Sequence, residues 1–317
     1  MKWKKLGKIF DPTEHRLPNR CKEFAQSPQA LVLKDRVRIF FSTRELDGVG
    51  KYLSHVAYVD FSRDMGKIID VSKRPVLPLG GLGTFDEHGI FPFSVFRDGD
   101  RVLAFTTGWS RRVSVSVDGA IGLASSNDEG LSFQRHGSGP VMAASLNEPF
   151  LVGDGFVRRY DDRFHMWYIY GTMWKRFGDS GPLDRVYKIA HATSWDGMQW
   201  QRDGRQIIGD RLDANECQAL PTVICLNGTF HMYFCYRQAY GFRHDRSRAY
   251  RLGYARSTDL IDWSRLDGEA GIDVGTSGWD VDMQCYPHMF TCDGSTYLLY
   301  NGNEFGRFGF GIAILES

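Results

Sequence analysis

One local pattern recurs five times along the chain, and it leaves few folds open. PQALVLKDRVRIFFSTR starts at Pro28, PFSVFRDGDRVLAFTTGW at Pro92 and GFVRRYDDRFHMWYIYG at Gly155. PTVICLNGTFHMYFCYR starts at Pro221 and PHMFTCDGSTYLLYNGN at Pro287. Each reads as an apolar, β-rich run, a polar turn and a second apolar run, which is a hairpin signal. The turn residues Asp35, Gly99, Asp162, Gly228 and Gly294 hold the same register. A period of roughly 65 residues in which strand, turn and strand recur together marks a repeat architecture.

Each repeat continues in the same way. An alanine-bearing strand leads to a polar turn and then an aromatic residue, as in residues 121–133, 188–200 and 252–263. Looser forms occupy 55–61 and 310–315. The marker alanines are Ala57, Ala124, Ala192, Ala255 and Ala313. A short strand follows the aromatic, so each repeat holds four antiparallel strands, the content of a propeller blade. The chain ends within the third strand of its fifth repeat. WKKLGKIFD at 3–11 has the form of WQRDGRQIIGD at 200–210 and supplies the missing fourth strand. The expected fold is all-β: residues 1–317 form one five-bladed β-propeller domain, with blades starting near 28, 92, 155, 221 and 287. The N-terminal strand closes the ring and hides edges that would otherwise pair with other chains.

Composition narrows the function. A net charge of +1 gives no electrostatic case for nucleic acid or an anionic membrane. No apolar run reaches membrane-spanning length, and MKWKKLGKIF lacks the apolar core of a secretory signal. The six cysteines include no C-x₂-C pair, which argues against a zinc site. The expected compartment is the cytoplasm. No cofactor and no dedicated metal site are expected, and oligomeric state is open.

Hairpin geometry puts the start of each first strand and the end of each second strand at one face. That face collects Asp86, Glu87 and His88, then Trp109, Arg111, Asp154, Trp174, Glu216, Arg237, Asp282, Asn303 and Arg44. Carboxylates beside aromatic platforms and polar donors suit a sugar, and glycoside cleavage uses a pair of carboxyl groups. Glu216, placed just before a strand at Pro221–Leu226, is the candidate general acid, and Asp154 is its partner. Asp86 and Glu87 are further catalytic candidates. Trp109, Arg111, Trp174, Arg237, Asp282, Asn303, His88 and Arg44 are substrate-binding candidates. Structural uses stand beside each: a turn for Asp154, an ion pair for Glu216, blade-connecting hydrogen bonds for Asp280 and Asp282. His288 is a further group within reach of the axis. Residues 45–54 and 175–186 read as surface connections.

At the level of blades the chain resembles the five-bladed invertase, levansucrase and arabinanase superfamily, which includes glycoside hydrolase families 32 and 43. Glu216-Cys217 looks like the Glu-Cys acid motif of family 32. Gly153-Asp154-Gly155 looks like its Arg-Asp-Pro, with both flanks changed. Ser27-Pro28 stands where the family carries its first-blade carboxylate. The resemblance implies a carbohydrate-active, glycosidase-like enzyme that works by acid-assisted displacement on a glycoside or activated sugar. The alternatives are a non-catalytic sugar-binding propeller and transfer to phosphate or a sugar acceptor. On this reading Glu216→Gln spares the fold and slows turnover.

Overall fold

In the structure, a computed structural model describing residues 1–177, 181 and 183–316, the chain is almost entirely β. A first strand, β1 (Trp3–Phe10), precedes the repeats. Then follow β2 (Glu23–Val32), β3 (Val37–Leu46), β4 (Tyr52–Phe61) and β5 (Ile68–Val71). The next group is β6 (Gly89–Asp98), β7 (Arg101–Arg111), β8 (Val117–Ser126) and β9 (Gln134–Arg135). After it come β10 (Val152–Tyr160), β11 (Arg163–Arg176), β12 (Leu183–Ser194) and β13 (Gln201–Arg202). The fourth group is β14 (Glu216–Leu226), β15 (Thr229–Gln238), β16 (Arg251–Ser257) and β17 (Ser264–Arg265). The chain finishes with β18 (Cys285–Cys292), β19 (Ser295–Asn301) and β20 (Phe310–Leu315).

Neighbouring strands in each group pair antiparallel, with β5 against β4. The groups starting at β2 and β6 share a sheet only through the single parallel pair Ser54–Gly89. In the last sheet the order is β1-β20-β19-β18, so the N-terminal strand lies beside the C-terminal one. The first strands also touch one another: β2 with β6, β6 with β10, β10 with β14, β14 with β18, and β18 with β2.

The turns follow from their residues. Asn227 and Gly228 have φ of 51° and 77°, and Asp293 and Gly294 have 49° and 76°. Two successive positive φ values define the type I′ turn, whose twist matches the strands it joins. The marker alanines are all buried in third strands. Their small side chains let neighbouring sheets approach face to face. Phe40, Val56, Val95 and Ala104 form one inter-sheet core, and Phe105, Ile121, Val157 and Met166 the next. The outer turns repeat a cap: Ser194 and Ser257 donate to Asp196 and Asp259, and Trp200 and Trp263 donate to Gly197 O and Leu260 O.

The strands begin earlier than their sequence suggests. Glu216 lies inside β14, not ahead of it. Each first strand continues through an irregularity that hides the run: pairing slips between Gln26/Gln29, Ile90/Phe93, Gly153/Phe156, Ala219/Thr222 and Cys285/His288. These bulges occupy one repeat position. Ser27, Asp154, Leu220 and Tyr286 take φ of 52°, 53°, 49° and 58° there. The presumed connections also shrink. Residues 45–46 and 52–54 belong to β3 and β4, while 175–176 and 183–186 belong to β11 and β12. Residues 178–180 and 182 of the second connection lie outside the described residues.

β1 pairs with β20 from Trp3–Leu315 to Phe10–Phe310. Trp3 Nε1 donates to Tyr233 Oη at 2.7 Å, inside the core. Removing residues 1–11 strips a whole strand and uncovers that tyrosine. The expected result in thermal denaturation is a fall on the order of 10 °C or outright failure to fold. An unchanged melting temperature would show β1 to be dispensable.

Candidate functional site

A cavity of about 360 Å³ opens among the ends of the first and second strands. The bulges build much of its wall. A bulge re-aims a side chain out of the strand's alternation, and Phe91, Asp154 and Tyr286 line the cavity from three of these positions. Gln26 and Ala219 line it from the other two bulges. Bulge amides are held by side chains of an adjacent group. Ser27 N donates to Asn301 Oδ1 at 2.8 Å, Asp154 N to Thr107 Oγ1 at 2.7 Å, and Leu220 N to Asp154 Oδ2 at 3.2 Å.

The glycines flanking Asp154 answer to this crowding. A Cβ on Gly153 would stand 2.7 Å from Thr107 Cγ2, and one on Gly155 3.0 Å from Ile121 Cδ1. Asp154 itself is 7% exposed. Burial raises its pKa to about 7, against the opposing pull of the Leu220 amide and the Arg185 charge. It therefore exchanges a proton near neutral pH, as a general acid or base must.

Four of the sequence candidates meet at this cavity: Arg44, Trp109, Asp154 and Arg237. His88 lies behind Trp109, stacked at 6.1 Å between ring centres. Arg111 is spent on Asp47 at 2.7 Å and the Tyr52 carbonyl at 2.8 Å. Trp174 lies outside the lining, with the Arg185 guanidinium 5.6 Å from its ring centre. Asp282 faces Arg246, and Asn303 Oδ1 accepts from the Asp282 amide at 2.8 Å. Glu87 accepts from the Gly83 amide at 2.9 Å. His288 is fully buried beside Phe156, which drives its pKa well down.

Glu216 does not reach the cavity. Its Oε2 accepts from the Arg211 and Leu212 amides, both at 2.9 Å. Its Oε1 accepts from Gln218 Nε2 at 3.0 Å and Arg265 Nη1 at 2.6 Å. With both oxygens occupied and the side chain sealed at 0% exposure, it has no access to a leaving group. Asp86 has the same fate, bound by Arg135 Nε at 2.9 Å.

These two pairs are instances of one device. In the second, third, fourth and fifth repeats a buried acid near the start of the first strand pairs with a base on the fourth. The pairs are Asp86–Arg135, Glu148–Arg202, Glu216–Arg265 and Asp280–Lys5. Glu216 ties the first strand of its sheet to the fourth, and Asp86, Glu148 and Asp280 tie the segment entering the first strand to the fourth. Glu216 and Asp86 are thus struts.

The sequence reading missed Asp118, Arg185, Arg243, Tyr187, Tyr250, Phe24 and Tyr52, all in the lining. It also missed Phe91 and Tyr286, although both precede the proline that opens a repeat and could have been found there. Tyr187 Oη is 2.9 Å from both Arg237 Nη2 and Tyr250 Oη, so the arginine anchors a buried polar chain.

The all-β architecture with its antiparallel four-stranded sheets is similar to that of solved glycoside hydrolases. One glycoside hydrolase superposes with a TM-score of 0.73 at 16% identity, covering 99% of this protein and 91% of that one. A thermostable family-43 glycoside hydrolase gives 0.64 at 15% identity, covering 92% and 88%. Family 130 and family 32 proteins share the fold. No protein-family model matches the sequence. The chain belongs to the family of uncharacterized proteins Rv1502 and MT1551 of Mycobacterium tuberculosis (strains H37Rv and CDC 1551). It is 34% identical to each over 317 residues, 100% of this protein and of each relative. No helix among the described residues is long and apolar enough to cross a membrane.

Proposed function

We propose that this protein is a carbohydrate-active enzyme that binds a glycoside or activated sugar in the cavity, with Asp154 as its proton donor. The observation that carries the reading is Asp154 itself: a buried carboxyl, poised near pH 7, in one cavity with Trp109 and Arg237. Trp109 offers an aromatic face to a sugar ring, and Asp154 protonates the departing oxygen as an oxocarbenium-like centre develops. Asp118, the other carboxyl of the lining, is the candidate second group. It pairs with Arg112 and accepts from the Gly119 amide at 2.9 Å.

The reading includes the ring. The cyclic contacts of β2, β6, β10, β14 and β18, and the pairing of β1 with β20, support five blades closed as a single domain. Its six free thiols suit a reducing compartment, the cytoplasm.

A second reading, sugar binding without turnover, has its own support. Asp154 already serves the Leu220 amide, and Ser27, at a bulge position, stands where the resembled family carries its first-blade carboxylate. The two readings part in one experiment. Wild type and Asp154→Asn are incubated with glycosides and nucleotide sugars, with and without phosphate, and products are read by mass spectrometry. Product formed by wild type and not by the variant supports the enzyme. Binding without product in either supports the sugar-binding module. Turnover in both removes Asp154 from the chemistry.

A further inference from the structure

The cavity wall carries more positive charge than the protein neutralises. Arg44, Arg185, Arg237 and Arg243 line it, against Asp118 and Asp154. Asp118 is engaged by Arg112, and Arg243 stands 3.8 Å from Asp184. Arg44 and Arg237 have no carboxylate partner among the described residues.

Both are kept in place without one. Arg237 is 3% exposed. It donates to the carbonyls of Gln238 and Ala239 at 2.8 and 3.2 Å and to Tyr187 Oη at 2.9 Å. Its carbon Cζ lies 3.5 Å from the centre of the Phe242 ring, and its Nε has no partner among the described residues. Arg44 makes no side-chain hydrogen bond to any described residue. Its guanidinium lies 4.8 Å from the Phe24 ring centre and 5.6 Å from that of Tyr52. Its Nε is buried and unpartnered, and burial lowers its pKa from the usual arginine value.

A guanidinium removed from water without a counter-charge is strongly unfavourable unless something supplies the missing partner. Aromatic faces supply part; they leave the planar edge of N–H donors of Arg44 free, while Arg237 commits its Nη groups to two carbonyls and Tyr187 and keeps its Nε unpartnered. The free edge matches the oxygens of a phosphate or carboxylate.

We infer that the ligand of this cavity carries an oxyanion, a phosphate or a carboxylate, that seats against Arg44 and Arg237. Taking the oxyanion to be attached to the sugar rests on the carbohydrate reading above; the other source of the same chemistry is free inorganic phosphate. A neutral sugar would leave these guanidiniums uncompensated when it displaces the cavity's water. An anionic one neutralises them as it enters.

The test uses the full chain and calorimetric titration. The probes are inorganic phosphate and, for glucose, galactose and mannose, the methyl glycoside, the 6-phosphate and the uronate. Arg44→Gln is the variant, because Arg44 donates no hydrogen bond to the protein and its loss should leave the melting temperature unchanged or raised. Arg44→Lys keeps the charge without the fork. The expected result is at least tenfold tighter binding of one anionic sugar than of its methyl glycoside. Arg44→Gln should abolish that advantage, Arg44→Lys should recover part of it, and added salt should weaken it. Arg44-dependent binding of phosphate alone identifies the free ion as the source. If phosphate binds and no sugar does, the oxyanion site stands and the carbohydrate reading falls. If a methyl glycoside binds as tightly as its charged counterparts, or Arg44→Gln changes nothing, the oxyanion site is overturned and the carbohydrate reading survives. Failure of every probe to bind overturns the oxyanion site.

Discussion

Asp154→Asn is expected to abolish most turnover while making the protein more stable at alkaline pH. The two effects share one cause. Burial raises the carboxyl pKa to about 7 in the folded state, whereas an unfolded aspartate titrates near 4 (about 3.9). Between those values the native state holds a proton that the unfolded chain has lost. Stability from this group is therefore full in acid, falls as pH rises through that window, and levels off above about 7. Asparagine is neutral throughout and keeps an oxygen for the Leu220 amide. The variant should be indistinguishable from wild type near pH 4 and more stable at pH 8, by on the order of a few kcal/mol. Denaturant titrations at the two pH values measure this. Turnover should fall about 10²–10⁴-fold, the usual contribution of a general acid, and substrates with good leaving groups should suffer less. Wild-type turnover should decline as pH rises through about 7, because the acid form is then lost. A wild-type profile flat across neutral pH, or a variant with full activity on a poor leaving group, would end the assignment of Asp154 as proton donor.

Glu216→Gln, by contrast, should damage the fold and leave the cavity's chemistry alone. The glutamate is fully buried, and Arg265 loses its 2.6 Å ionic partner. Breaking a buried pair from one side leaves an uncompensated charge, which destabilises by about 3–5 kcal/mol. The remaining contact of Arg265 with Asp267, at 2.9 Å, puts the expectation at the lower end, about 3 kcal/mol. That corresponds to a drop in melting temperature on the order of 5 °C. Removing both charges with Glu216→Gln and Arg265→Met should recover much of the loss, because well-packed apolar groups can replace a buried ion pair. Ligand affinity, measured below the transition, should be unchanged. A variant that melts normally but no longer turns substrate over would restore Glu216 as the acid.

The two carboxylates show why a site is harder to read than a fold. In sequence, Glu216 and Asp154 look alike: each precedes an apolar run by a few residues, and each resembles a motif of the same superfamily. Their difference lies in the bulge. Asp154 occupies the bulge position of β10, at φ 53°, and lines the cavity. Glu216 lies four residues ahead of the corresponding residue, Leu220, in regular strand pairing with Gln238. No single-residue pattern states which strand residue is the bulged one. It becomes visible only when the pairing of β14 with β15 is set beside that of β10 with β11.

The repeat, by itself, determined the hairpins, the positions of their turns, the alanine-bearing third strands and the expectation that residues 3–11 pair with the C-terminal strand. Those features are legible because strand alternation and turn chemistry act between residues close in sequence, and five copies reinforce one another. The tertiary structure alone decided which charged groups face each other. Arg265 meets Glu216 across 49 residues, and Lys5 meets Asp280 across 275. Such partners come together only when the first and fourth strands of a sheet are assembled. The same assembly seals four acids as struts, leaves Asp154 at the cavity, and holds Arg44 and Arg237 against aromatic rings without a carboxylate partner among the described residues. Electrostatics at a site depends on distance and burial, and neither is encoded by the spacing of residues along the chain.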